Sequence, residues 1–146
     1  AVPQDEVQAR MVRNFSDWLR ASGLRFHGSE VMVYHPDLHY GGTIDLLLWR
    51  EEELTLWDIK TGGIYDESAY QLSAYAAAWF AMVGTPIASI GVVGIGGDAP
   101  EVREIRAWNA DAFRAALALS RATRASPWEA SETIKGLEAM KKEQKP

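Results

Sequence analysis

Residues 54–63 read LTLWDIKTGG and carry the strongest clue to this protein's structure. The leucines, the tryptophan and the isoleucine are typical of a β-strand. Asp58 and Lys60 interrupt this apolar run, and side chains two residues apart in a strand point to the same face. Because charged groups are rarely buried without compensation, the pair is either a surface ion pair on an edge strand or part of a site. The neighbouring strands decide between these alternatives.

The composition is that of an ordinary globular chain. It has 146 residues, of which 47% are hydrophobic, and a formal net charge of −5. This length predicts a single domain over residues 1–146. The negative charge argues against a protein that coats nucleic acid by bulk charge. Since there is no cysteine, no iron–sulfur cluster or thiolate metal site is expected.

Targeting signals are not evident in the sequence. No apolar run reaches the roughly 18 residues that span a bilayer. The N-terminal stretch AVPQDEVQAR lacks the basic and then apolar order of a signal peptide. A cytoplasmic protein without a membrane partner is therefore expected.

Hydrophobic periodicity predicts an α/β fold with an α-β-β-β-α-β core and C-terminal helices. The predicted elements are a helix over 4–21, strands over 25–34, 40–49 and 54–60, a helix over 65–83, a strand over 87–95 and helices over 109–125 and from 126 onward. The core would cover about 4–96 and the C-terminal helical part about 109–142. Short loops predict an antiparallel meander, and the helical crossover predicts a parallel fourth strand, so the sheet would be mixed.

Turn positions predict how the first three strands align. A turn over 36–39 places His35 opposite Tyr40, and a turn over 50–53 places Trp49 opposite Leu54. Counting along the strands from these pairs brings three acidic residues into one row on one face.

The acidic row consists of Glu30, Asp45 and Asp58 on three successive strands. Directly opposed side chains in a sheet have Cβ atoms about 4.5–5.5 Å apart, so three like charges there repel one another. Carboxylate oxygens at this spacing suit a hard divalent cation such as Mg²⁺ or Mn²⁺. Lys60, on the same face, would add a further positive charge. The sequence therefore predicts a metal site at this row.

Three motifs now carry a resemblance to a known family: GTIDLLLW at 42–49, LWDIKTG at 56–62 and YQLSAYAAAW at 70–79. Together they resemble the PD-(D/E)XK nuclease superfamily. The likeness is greatest to its RecB-type branch, which includes phage and CRISPR-associated DNA nucleases. In motif terms the resemblance runs from about Glu30 to Tyr75. It implies a restriction-endonuclease-like fold, in agreement with the predicted core order.

The resemblance assigns roles to the residues of the acidic row. Glu30 is similar to the family's upstream acid and Asp45 to its first metal-binding aspartate. Asp58, Ile59 and Lys60 match the D-x-K element, in which the Ile59 carbonyl would be a further metal ligand. Lys60 would be catalytic, either by orienting or deprotonating a water or by stabilising charge on the phosphate.

Further residues match the family outside the acidic row. Gln71 and Tyr75 correspond to the RecB-type Q-x-x-x-Y motif and share one helix face, where they would contact DNA or brace the site. Thr61 lies where the backbone would pass close to the phosphate. One departure is the RecB-type histidine, which is missing from the first helix. The histidines are His27, His35 and His39, and the two that flank or occupy the predicted turn are expected at the surface.

The function implied by the resemblance is hydrolysis of DNA phosphodiesters with one or two Mg²⁺ or Mn²⁺ ions. An exonuclease is favoured over an endonuclease, with a role in phage DNA processing, recombination or repair. A homo-oligomer, or a partner protein from recombination or replication, is expected. Two alternatives stay open: a partner-dependent DNA-binding or assembly module on a nuclease fold, and a hydrolase of other substrates that uses the same metal site.

Overall fold

A computed structural model describes residues 4–64 and 67–106 of the chain, all within the first of its two units, Ala1–Trp108. The elements are α1 (Gln4–Ser22), β1 (Arg25–His35), β2 (Tyr40–Arg50), β3 (Glu53–Lys60), α2 (Glu67–Val83), β4 (Ile87–Gly94) and β5 (Glu101–Ile105). The helices predicted over 109–125 and from 126, and the predicted helical positions 65 and 66, lie outside the described residues. The single domain over 1–146 stays a prediction.

The described strands form one mixed sheet with the order β1-β2-β3-β4-β5. Only β3 and β4 pair in parallel among these neighbours, with α2 connecting them, and the other pairs are antiparallel. The predicted α-β-β-β-α-β order and the mixed sheet are confirmed. The sequence analysis missed β5. This strand is short, lies at the sheet edge and reads EVREI, so its charged and mostly exposed side chains resemble a surface loop.

The strand alignments agree with the sequence prediction. His35 lies opposite Tyr40 across the predicted turn at 36–39, and Trp49 lies opposite Leu54. The second turn is tighter than predicted, because Arg50 pairs with Glu53 and leaves two residues to reverse the chain. Glu51 makes this reversal with a φ of 55°, in the left-handed region. Pairing across the turn keeps the predicted register.

Hydrophobic side chains cover both faces of the sheet. Helix α2 covers one face of the sheet. Its residues at helical spacing pack on aliphatic residues of β2, β3 and β4; they are Leu72, Ala76 and Trp79. The opposite face packs around Trp18 of α1 and Trp57 of β3, whose ring centroids are 4.9 Å apart. Among the described residues, no helix has the length and apolar character to cross a membrane.

Candidate active site

The candidate site lies where β2 and β3 part. The ladder between these strands begins at the turn and ends at the pair Leu46 and Trp57. Ile44 and Leu47, three residues apart, both pack on the α2 side of the sheet, whereas Leu46 packs on the α1 side. Strict alternation would place residues three apart on opposite faces, so the strand is irregular at Asp45.

Asp45 contacts β3 through its carboxylate. Its Oδ2 accepts a hydrogen bond of 2.9 Å from the backbone N–H of Ile59. Ile59 lies beyond the last β2–β3 ladder pair, so the carboxylate satisfies an N–H that has lost its place in that ladder. The bond holds the Asp45 side chain beside the D-x-K segment. This position agrees with the predicted alignment of β2 and β3.

Asp58 and Lys60 lie together on one face, as the spacing predicted. Lys60 Nζ is 2.9 Å from Asp58 Oδ2. This oxygen is buried, and the lysine contact does not give it a hydrogen bond of acceptable geometry. Burial raises the pKa of Asp58, and the neighbouring Asp45 carboxylate raises it further, against the opposing effect of Lys60. Burial and the neighbouring like charge thus both disfavour the ionised form of Asp58.

Glu30 occupies the predicted place in the row but differs from the other acids. The pairs on either side of it, Ser29 with Leu46 and Val31 with Ile44, align it with Asp45. Its backbone has a φ of 51°, and its side chain is exposed. Within residues 4–64 and 67–106, no three His, Cys, Asp or Glu side chains form a metal-binding group. The structure therefore gathers Asp45 and Asp58, and does not add Glu30 to them.

The Q-x-x-x-Y residues lie on α2 above β2. Gln71 Nε2 donates a hydrogen bond of 2.9 Å to Tyr75 Oη. The Tyr75 ring lies directly on the backbone of Gly42, where an added Cβ would overlap the ring. Gly42 precedes Asp45 in the same strand, so Tyr75 packs on the strand that carries the first acid. Tyr75 therefore contacts β2 directly, whereas Gln71 is linked to that strand through its hydrogen bond to Tyr75.

Thr61 follows Lys60 directly and is exposed. Its backbone carbonyl packs against Gly96, at a distance that leaves no room for a Cβ on that glycine. The structure thus places Thr61 at the open end of β3, beside the Asp58 and Lys60 pair.

The histidines make local contacts away from the acids. His27 Nδ1 accepts a 3.1 Å hydrogen bond from Trp49 Nε1, and His39 Nδ1 lies 2.8 Å from the Tyr34 hydroxyl. His35 Nδ1 accepts two backbone N–H groups in the turn at 36–39. These contacts organise the β1–β2 hairpin.

The donor set around Asp45 and Asp58 fits a hard divalent cation. It consists of carboxylate oxygens, one of them buried without a hydrogen bond, beside a second carboxylate of the same charge. Such oxygens are the ligands that Mg²⁺ and Mn²⁺ prefer. Lys60 alone compensates the pair only in part.

Comparisons with known proteins agree with this geometry. The family model of the PD-(D/E)XK nuclease superfamily matches residues 3–142. The chain belongs to the PD-(D/E)XK nuclease superfamily. This membership supports nuclease function and confirms the resemblance inferred from the motifs. No curated protein sequence gives a match.

The superfamily fold is also found in a solved structure. The crystal structure of an alkaline exonuclease (LHK-Exo) from Laribacter hongkongensis matches with a TM-score of 0.52 and 16% sequence identity. The match covers 96% of this chain and 72% of that one. At this identity the likeness shows the fold, which is the predicted restriction-endonuclease-like α/β fold.

Sequence reasoning missed a polar residue that joins α1 to the sheet. Asn14 is 5% exposed and lies among the apolar positions of α1, three residues after Met11 and four before Trp18. A polar side chain at such a position was the available signal, because a buried amide needs hydrogen-bond partners. Its partners lie beside the candidate site.

Proposed function

We propose that this PD-(D/E)XK superfamily member is a metal-dependent DNA nuclease that hydrolyses phosphodiester bonds. The observation that carries the proposal is the contact of Lys60 with the buried oxygen of Asp58, beside the Asp45 carboxylate. An isolated surface ion pair would not include a second carboxylate and an oxygen without a hydrogen bond. The arrangement provides oxygen ligands and a lysine at one point.

Asp45 and Asp58 would hold one or two Mg²⁺ or Mn²⁺ ions. The Ile59 carbonyl and Glu30 are further candidate ligands, and Glu30 needs a change of side-chain position to join the pair. When bound, a divalent cation activates water and neutralises phosphate charge. The Asp45 carboxylate is already oriented by the Ile59 N–H.

Lys60 would act on the scissile group directly. Its side chain is 34% exposed, so that it can reach a substrate while it stays beside Asp58. An ammonium group here can donate a hydrogen bond to a phosphate oxygen, and it can orient the attacking water. Both roles require the β3 backbone to hold Lys60 in place.

The residues around the acids would bind the nucleic acid. Gln71 is exposed on α2, and its amide is oriented by Tyr75. Thr61 has an exposed side chain directly after the catalytic lysine. We propose that these three residues contact the DNA backbone or brace the site.

The biological setting is proposed from the similar solved structure and from the family resemblance. An exonuclease is favoured because the similar solved structure is described as an alkaline exonuclease. A cytoplasmic location, phage DNA processing, recombination or repair, and a homo-oligomer or a recombination or replication partner follow from the resemblance to the RecB-type branch.

The test is cleavage of end-labelled linear and closed-circular DNA, single- and double-stranded, with Mg²⁺, Mn²⁺ or EDTA. Metal-dependent cleavage of linear DNA should fall by at least about 100-fold in Lys60→Ala, since a positioned proton-transfer or charge-stabilising group contributes about that much. Arg20→Ala, an exposed change on α1, is the matched control and should cleave normally. Cleavage of closed circles would identify an endonuclease.

Two outcomes would contradict the proposal. Salt-sensitive DNA binding without cleavage, in folded protein that binds Mn²⁺, would identify the partner-dependent binding module. Hydrolysis of small phosphodiesters without any action on polynucleotides would identify a hydrolase of other substrates.

A further inference from the structure

Helix α1 binds three consecutive backbone carbonyls just after β4. Asn14 Nδ2 donates to Ile95 O at 2.8 Å and to Gly97 O at 2.9 Å. Arg10 Nη2 donates to Gly96 O at 2.9 Å. Residues 95–97 are therefore tied to α1 by side chains from successive turns of one helix.

The same segment contacts the end of the strand that carries Lys60. The Ile95 N–H donates a 2.8 Å hydrogen bond to the Lys60 carbonyl. The backbone of Gly96 lies against the Thr61 carbonyl, so that a Cβ on Gly96 would overlap this oxygen. Residues 95–97 thus lie between Asn14 and the backbone of Lys60 and Thr61.

The end of β3 depends on this support because β2, its neighbour on the other side, no longer pairs with it there. Beyond Trp57, β3 no longer pairs with β2, and the Asp45 carboxylate contacts this segment from the β2 side through the Ile59 N–H. On the opposite side β3 pairs with β4 up to Gly94. The contacts of residues 95–97 continue that pairing past Lys60.

We infer that Asn14 is a positioning residue for the catalytic lysine. Through residues 95–97 it holds the backbone of Lys60 and Thr61 where the Lys60 ammonium lies beside Asp58. A buried asparagine costs stability unless its donors are satisfied, and here both donors are used on this segment. The inference rests on the proposed nuclease function, and Asn14 itself does not touch the substrate.

Two changes perturb this support from opposite sides. Asn14→Ala removes both donors, and Gly96→Ala pushes a methyl group against the Thr61 carbonyl. Each has a matched control. Arg13→Ala alters an exposed position of the same helix, and Gly97→Ala adds a Cβ whose nearest contact is an ordinary 3.7 Å.

Steady-state cleavage of linear DNA in Mn²⁺ should separate positioning from binding. A catalytic group displaced by about 1 Å can lose up to about 100-fold in rate, so kcat should fall about 10- to 100-fold in Asn14→Ala and in Gly96→Ala. KM should stay within about twofold, since Asn14 makes no substrate contact. If both folded variants keep the kcat of their controls, or lose activity only through KM, the inference is overturned.

Amide hydrogen exchange gives a readout that does not need activity. In Asn14→Ala the Ile95 and Ile59 amides should exchange faster than in Arg13→Ala, whereas the paired amides of the β1–β2 hairpin should not change. Unchanged exchange at both amides would overturn the inference. If Asn14→Ala does not fold, Arg10→Ala removes the hydrogen bond to Gly96 O, together with a 3.6 Å ion pair to the exposed Asp98, and should produce the same pattern with smaller amplitude.

The exchange measurement also distinguishes two failures. Wild-type protein that cleaves no DNA would refute the proposed function, whereas the exchange pattern would still support or overturn the contact of Asn14 with the Lys60 segment.

Discussion

The ion pair between Arg50 and Glu104 should contribute measurably to the stability of the sheet. Arg50 Nη1 and Nη2 lie 2.6 and 2.9 Å from the two oxygens of Glu104. The Glu104 side chain is 12% exposed and the Arg50 side chain 30%. Since Arg50 is on β2 and Glu104 on the edge strand β5, the pair ties the edge of the sheet to its interior.

The expected loss of stability in Glu104→Gln follows from the burial and geometry of the Arg50–Glu104 pair. Removing one partner of a fully buried pair costs about 3–5 kcal/mol. Arg50 is partly exposed, so water compensates some of the charge that Glu104→Gln leaves unpaired, and about 2 kcal/mol is expected. This corresponds to a decrease in Tm of about 4–8 °C for a chain of this size.

Urea unfolding at pH 7 measures the loss of unfolding free energy in Glu104→Gln, with Glu101→Gln as the control. Glu101 lies on the same strand, is 61% exposed and makes a 3.4 Å contact with Arg103. An exposed pair of this kind contributes at most about 1 kcal/mol. If Glu104→Gln lowers the free energy of unfolding no more than Glu101→Gln does, the reasoning from bidentate geometry and burial is refuted.

The pH dependence of the difference in unfolding free energy between wild type and Glu104→Gln is a second check. Burial opposes ionisation of Glu104, but hydrogen bonds from Arg50 and Ser89, together with the charges of Arg50 and Arg106, outweigh it and lower its pKa below the ordinary 4.5. A pKa lowered in the folded state stabilises the fold above the unfolded value, and the contribution is lost as pH falls through the folded value. The difference between wild type and Glu104→Gln should therefore be constant near neutral pH and shrink below 4.5.

Three further predictions concern the core and the metal. Gly91→Ala should destabilise by about 2–3 kcal/mol in urea unfolding, because its Cβ would overlap the buried Trp57 ring; an unchanged midpoint would contradict this packing. Thr55→Val should cost about 1–3 kcal/mol, since the Thr55 hydroxyl accepts Trp57 Nε1 at 2.8 Å, while Thr43→Val at an exposed position should cost little. Mn²⁺ at about 100 times its Kd should stabilise wild type by about 2.7 kcal/mol in thermal unfolding, and Asp58→Asn should lose most of this gain; equal gains would refute the assigned ligand.

The sequence predicted the part of the fold that depends on pattern and turn length. The alternation in β3, with Asp58 and Lys60 on one face, and the pairing of Trp49 with Leu54 follow from a strand period of two and from short loops. The candidate site was predicted for the same reason, since that register aligns Asp45 with Asp58. The motif resemblance identified the family, which the family model then confirmed.

The features that were missed depend on exceptions to the pattern. The left-handed backbone of Glu30 follows no periodic rule, so the acidic row looked more regular in sequence than it is in structure. β5 was missed because three of its five residues are charged and most of its side chains are exposed, so this edge strand has no apolar signature. Asn14 was passed over because helical spacing was counted on apolar residues alone, and its partners are backbone carbonyls that no sequence pattern reveals.

The location of the acids has a structural cause. While β2 and β3 pair, each backbone group has a partner and alternate side chains pack into the core. Where the pairing stops after Leu46 and Trp57, the Ile59 N–H needs another acceptor, and the Asp45 carboxylate meets that need. The two carboxylates thus lie just past the end of the β2–β3 ladder, beside the Ile59 N–H that has no ladder partner there. The same separation that makes room for the acids removes support from Lys60, so a site of this kind needs a contact on the β4 side to hold its lysine.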